Sequence, residues 1–309
     1  MSPVRPSTTD LTLSPVLLAT LAVTAATSVQ CLRAARRRGV TAGAWRVVAA
    51  AAAILLLGVA FVSPIATLAA HYLLTVHLVQ VTLVMGFVPP LLLLALPPAP
   101  TVSPPRWLRT AGVIAVHPAT AIVLVNTVFF GWHAPPIYEA SLAHPELYAV
   151  QQVSLLLVSL AFWWSIVEPY GPGRWSMGPL AKLGYILLAT IPQTFAGLLF
   201  ALAHRPFYSH YDTQAAGMSA LTDQQVAGAC MALLSKLALF GAFSVVLWRI
   251  LEPMSADEDG GEDWGRGDDD RDDTPQPVRP GAPAWLRLLE TGPVVDEPAP
   301  RRREPTGVG

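Results

Sequence analysis

Seven blocks of roughly twenty consecutive apolar residues dominate this 309-residue chain, and their length decides the fold class before any motif is considered. A hydrocarbon core about 30 Å thick is crossed by roughly twenty helical residues rising about 1.5 Å each. The blocks lie at about 11–32, 45–63, 71–96, 111–131, 148–167, 180–203 and 224–251. They are rich in Leu and Ala, and in lipid every backbone amide needs a partner within its own segment, so helices rather than strands are expected. The fold class is all-α, a polytopic integral membrane protein of about seven transmembrane helices. Composition agrees: 53% of residues are hydrophobic and only 13% charged, against about a quarter charged in a soluble globule.

The chain divides into a short N-terminal segment at 1–10, a transmembrane domain at 11–252 and a tail at 253–309. Its net charge of −1 is a cancellation, because residues 1–253 carry +6 and residues 254–309 carry −7. The tail is rich in Asp, Gly, Pro and Arg, with ten acids between Asp257 and Asp273. Such a segment buries too little apolar surface to offset chain entropy and reads as disordered, either a solubilising tail or a docking arm for a basic partner.

Lys and Arg placement sets the orientation. Arg33, Arg36, Arg37, Arg38 and Arg46 follow the first span, Arg106 and Arg109 the third, Arg174 and Lys182 the fifth, and Arg249 closes the last. The intervening loops, around 64–70, 132–147 and 204–223, hold only Arg205. The N-terminus is therefore expected outside and the tail in the cytoplasm. Trp45, Trp107, Trp163, Trp164, Trp175 and Trp248 fall at the inner ends, as an interfacial belt does. The first arginines follow the apolar stretch rather than precede it, so a retained anchor is expected rather than a cleaved leader. Pro89 and Pro90 are expected to kink the third span.

Several function classes find no footing. There is no basic patch with interleaved aromatics for nucleic acid. Cys31 and Cys230 are too few for a disulfide framework. No GxSxG, HExxH, Walker or GxGxxG signature occurs, so a non-enzymatic protein is expected. Only His77 lies clearly within a span, whereas haem calls for histidines facing one another at matched depth.

Polar chemistry collects instead at one end. Of seven histidines, His71, His77, His133, His144, His204 and His210 fall on or near the outer face, and only His117 at an inner one. His77 and Gln80 lie one turn apart inside the third span, where polar side chains are costly and often functional. The seventh span opens Asp223-Gln224-Gln225-Val226-Ala227-Gly228-Ala229-Cys230-Met231. Asp223 is a helix N-cap candidate, and the Ala227-Gly228 pair lets another helix approach closely. Cys230 and Met231 are soft donors and His77 and His133 borderline ones, a set suited to Cu(I). Lys236 falls near mid-membrane and must face the bundle interior, a wet cavity or a partner. Taken singly, each has a bland structural account: an interfacial histidine bonded to a carbonyl, a capping carboxylate, a snorkelling lysine.

Three ordered motifs resemble one family. His77-Leu78-Val79-Gln80, then Pro89-Pro90-Leu91-Leu92-Leu93-Leu94 and Pro97, is similar to the third-span motif of the caa3-type cytochrome c oxidase assembly factors. Trp132-His133-Ala134-Pro135-Pro136-Ile137-Tyr138, leading to Phe162-Trp163-Trp164, resembles that family's outer loop and fifth span. Asp223-Gln224-Gln225-Val226-Ala227-Gly228, ending at Met231 and preceded by Pro206-Phe207-Tyr208 and Tyr211, resembles its most specific signature. The likeness covers roughly residues 45–251.

The resemblance implies a multi-pass protein of the cytoplasmic membrane that helps copper reach the membrane-embedded centre of a haem–copper oxidase, with an oxidase subunit as partner. On that reading His77 and His133 are copper ligands, with Met231 and Cys230 favouring the cuprous state. Asp223 orients an imidazole or attracts the cation, beside Gln80, Gln224 and Gln225. The chain departs from the family pattern at Val81, at Gln151 and Gln152, at Tyr148 and at Ala232, where family members often have histidine, a glutamate–histidine pair, histidine and tryptophan. These departures remove candidate ligands. Two rivals remain: a transporter of copper or another small solute, and a metal-free scaffold for oxidase subunits.

Overall fold

Every regular element is helical in the computed structural model, which describes residues 7–39, 43–97, 105–211, 213 and 217–258. The chain is a multi-pass membrane protein. It divides into two units after Asp259, and the second, with most of the expected acidic tail, lies outside the described residues.

Helices α1 (Pro15–Arg37) and α2 (Ala44–Val62) are the first two spans. A short α3 (Pro64–His71) leads into the third span, which is α4 (Leu74–Thr82), a π turn at Leu83–Phe87 and α5 (Val88–Ala95) in series. Next come α6 (Arg106–Ala115), α7 (Pro118–His133) and the short α8 (Pro135–Ala143). Two long helices follow, α9 (Pro145–Val167) and α10 (Pro179–Ala201). The last span is α11 (Ala220–Leu233), a 3-10 turn at Leu234–Lys236 and α12 (Leu237–Glu258), which runs past the boundary expected at 252.

The expected fourth span is bent rather than straight. Six helical stretches are long and apolar enough to cross a membrane, and a seventh exists only if α6 and α7 are joined across an 84° bend. The cause is local: a proline disfavours helix at the residue before it, and His117 is extended (φ −62°, ψ 129°) with Pro118 opening the next helix. Helix α6 thus turns away from α7 and is amphipathic, with Arg106, Trp107, Arg109 and Ile114 all exposed.

The tandem prolines act as expected, but the distortion is absorbed and completed by a neighbour. Pro89 has no N–H, so the carbonyl of Met85 loses its helical donor. The π turn lets Val88 N reach back to Leu83 O, and the indole Nε1 of Trp163 on α9 donates to Met85 O at 2.9 Å. Trp163 is therefore a core residue, 3% exposed, and not the belt residue expected of it. Trp45, Trp107 and Trp248 do face outward.

The closest helix crossing joins α10 to α11. A Cβ at Gly228 would stand 2.5 Å from both Gly197 O and Ala201 N, and one at Gly197 would stand 2.9 Å from Gly228 O. The small pair read from the sequence therefore packs directly on the α10 backbone. Gly228→Ala is expected to push the two helices apart and cost about 1–3 kcal/mol, read as a lowered melting temperature of the detergent-solubilised protein; Gly112→Ala, with open space around it, is the control.

Candidate functional site

Helix α4 starts on a carboxylate from another span. Asp223 Oδ2 accepts from Leu74 N at 2.7 Å and Oδ1 from Thr75 N at 3.0 Å, while Thr75 Oγ1 donates to Asp223 O at 3.0 Å. A negative charge on the free amides of a helix N-terminus is favourable in both charge and hydrogen bonding. This corrects the expectation that Asp223 caps its own helix: Ser219 caps α11, accepting from Thr222 N at 3.1 Å. Both carboxylate oxygens are engaged by α4 amides, and the residue acts on His77 through the α4 backbone rather than through the imidazole.

His77 follows one turn later and is fully buried. Its Nδ1 lies 3.2 Å from Tyr148 OH, and that hydroxyl donates onward to Gln80 Oε1. The single phenolic proton being so used, the tyrosine oxygen accepts from Nδ1–H, which leaves Nε2 of the neutral ring as a bare lone pair. Gln80 is fixed in turn, donating from Nε2 to Ala60 O at 2.6 Å and accepting from Gln152 Nε2 at 3.4 Å.

His133, the last residue of α7, repeats the pattern. Its Nδ1 lies 2.7 Å from Phe129 O, and a carbonyl only accepts, so here too the proton sits on Nδ1. Nε2 of both rings is buried and has no hydrogen-bond partner among the described residues. The ring centroids are 5.6 Å apart. Phe129 stacks on His133 at 4.2 Å, and Tyr138 packs against both rings, at 5.0 Å from His77 and 5.5 Å from His133. Gln151 Nε2 and Gln152 Oε1, also on buried residues, lack partners too.

The connection from α10 to α11 straps this cluster. Gln225 Nε2 donates to Ala203 O at 3.1 Å, Gln224 Nε2 to Arg205 O at 3.3 Å, and Phe207 N to Gln224 Oε1 at 2.6 Å. Tyr208 OH then donates to His133 O at 2.7 Å, and the hydroxyls of Tyr211 and Tyr138 meet. The two glutamines of the signature thus hold the strap and do not face the imidazoles.

An apolar cavity of about 260 Å³ reaches His133 between Phe130, Phe200 and Tyr208. A smaller one, about 50 Å³, adjoins it, and Met231 is in the wall of both. Cys230 is only half-buried and lines neither, so the structure separates it from the histidines. Lys236 sits in the 3-10 turn with Nζ unpartnered among the described residues, and it too lines neither cavity. Among the described residues no three His, Cys, Asp or Glu side chains come together as a metal site.

Comparison with known proteins decides the family. The model for the cytochrome c oxidase caa3 assembly factor matches residues 29–252. The chain belongs to this family. No curated protein and no solved structure matches it. Within this assembly factor, three of the positions that depart from the family pattern, Tyr148, Gln151 and Gln152, are buried and lie on the helix that faces His77. One of them, Tyr148, sets the tautomer of His77. Tyr138, Tyr208 and Tyr211 were legible only as parts of motifs, because what they touch lies far along the chain.

Two expectations follow. Asp223→Ala leaves two α4 amides uncapped, that of Leu74 buried, and is expected to lower stability by about 1–3 kcal/mol, with Asp223→Asn intermediate, measured by thermal unfolding in detergent. Separately, Ser209 N and Oγ donate to Glu139 Oε1 at 2.7 and 2.8 Å, which holds that carboxyl below its ordinary value. The carboxylate is the bonded form, so the clasp is complete above the ordinary carboxylate range and is released as pH falls through the depressed value. The protection factor of the Ser209 amide is expected to fall over that acid range, and Glu139→Gln to remove the pH step.

Proposed function

We propose that this assembly factor holds Cu(I) between Nε2 of His77 and Nε2 of His133 and passes it to the copper centre of a haem–copper oxidase, acting outside the cytosol as a chaperone of the respiratory chain and without catalysis of its own. Copper here is cargo. The observation that carries the reading is the pair of buried imidazoles whose Nδ1 atoms are both engaged and whose Nε2 atoms both lack a partner. A metal-ligating histidine commonly has this second-site hydrogen bond, which fixes its tautomer and orientation.

The donor set fits a monovalent soft ion. Two metal–nitrogen bonds of about 2 Å plus two ring radii span about 6 Å, close to the 5.6 Å between the centroids. Asp223 is engaged by α4 and has no free carboxylate oxygen to balance a second positive charge. Met231, in the wall of the cavity that reaches His133, supplies a thioether on the way out. Cys230 has no part in this reading. The cytoplasmic membrane is the site of action, with the histidine end outward by the distribution of arginines.

The test is a chelator-competition titration of Cu(I) on the detergent-purified protein. His77→Ala and His133→Ala are each expected to abolish binding, and Tyr148→Phe to weaken it by about 10–100-fold. No binding by the parent, or unchanged binding in both alanine variants, overturns the ligand assignment. In cells lacking the protein, an oxidase that keeps its polypeptides but loses copper separates delivery from scaffolding, and copper uptake into sealed vesicles reveals a transporter.

A further inference from the structure

The opposite end of the bundle, where the arginines lie, holds a larger cavity that copper handling does not use. It has a volume of about 520 Å³ and is walled by Arg109 and Val113 of α6, Trp164 and Glu168 at the end of α9, and Arg174 and Trp175 of the following connection. Gly171 and Gly173 also line it, and around each the space for a Cβ is open.

Its electrostatics are lopsided. Neither Arg109 nor Arg174 has a carboxylate partner among the described residues. Glu168, the one acid among the described wall residues, is matched by Lys182 at 2.8 Å and accepts from Ser176 Oγ at 2.7 Å. The wall therefore presents two unmatched guanidinium groups. It also presents a third donor: Trp175 Nε1 is buried and has no hydrogen-bond partner among the described residues. An indole N–H can only donate, so what it lacks is an acceptor. The ring is held in place by His117, edge-on at 4.5 Å, and by the Arg174 guanidinium 4.7 Å above it.

Three donors without an acceptor call for an anion, and the surroundings state what the anion is attached to. Helix α6 lies 84° from α7 and exposes Trp107 at 71%, Ile114 at 58% and Val113 at 42%, the last of these in the cavity wall. An amphipathic helix with arginines on one face and Trp and Ile on the other belongs in the headgroup layer. Basic pockets at that level take phospholipid headgroups.

We propose that this groove binds an anionic phospholipid, its phosphate held by Arg109, Arg174 and the Trp175 indole N–H, and its acyl chains lying along the exposed apolar side of α6. The site is independent of the copper reading. It anchors α6, which lies 84° from α7, against the end of α9.

The test uses the full chain reconstituted in nanodiscs of mixed phosphatidylglycerol and phosphatidylcholine, with retained lipid identified by mass spectrometry after stripping in mild detergent. Phosphatidylglycerol is expected to be enriched on the parent protein, with a loss of about fivefold for each arginine in Arg109→Gln and Arg174→Gln. Trp175→Phe keeps the ring stack and loses only the donor, and is expected to reduce the enrichment as well; it carries the test if the arginine variants lose their melting transition. Arg36→Gln with Arg37→Gln, at the same end but on α1, is expected to leave it unchanged. No enrichment on the parent, equal loss in the α1 control, or displacement of the lipid by inorganic phosphate overturns the proposal.

Discussion

The bond from Asp223 to the first amides of α4 couples the last span to the third, and the histidine end of the bundle is arranged around it. Those amides belong to Leu74 and Thr75, one turn ahead of His77, so the height and rotation of the imidazole follow from a carboxylate on α11. The next two residues after Asp223 hold the strap from α10, and the strap holds His133 through Tyr208. A short stretch of one helix therefore positions both histidines without touching either ring. In hydrocarbon, where water cannot replace a lost partner, such a charge-assisted cap is worth more than its surface equivalent.

Much of the architecture was legible because bilayer thickness converts directly into a run length of apolar residues. Six stretches emerged where the apolar runs placed them, and the crowding of histidines toward one end was readable from arginine-poor loops. The bend between α6 and α7 has a plain cause. The run is apolar throughout, but apolarity reports burial in lipid and not direction, and the dipeptide His117-Pro118 that breaks the helix carries no hydropathy signal. Asp223 shows the other limit. Its residue type and position marked a cap, yet the helix it caps begins 149 residues earlier, and local reasoning supplied the nearest helix instead. Cys230 and Met231 are adjacent in sequence, and only the rotation of α11 separates the one that lines the cavities from the one that does not.

The two ends of the bundle differ in how they treat polar atoms. At the histidine end, buried donors and acceptors are linked into a chain from Ala60 through Gln80 and Tyr148 to His77, and the chain stops at a nitrogen with nothing beyond it. At the arginine end, the pair of Glu168 with Lys182 sits beside arginines that have no carboxylate partner among the described residues. The first arrangement is a buried chain of polar partners; the second is a set of charges at the ends of the helices.

The indole of Trp163, reaching from α9 to the carbonyl that Pro89 strips of its donor, has a consequence for biosynthesis. The chain emerges N-terminus first, so the segment with the proline pair enters the bilayer well before α9 is made. Until then Met85 exposes an unsatisfied carbonyl at depth, a penalty of several kcal/mol in hydrocarbon. The third segment therefore gains a partner for that carbonyl only once α9 packs against it.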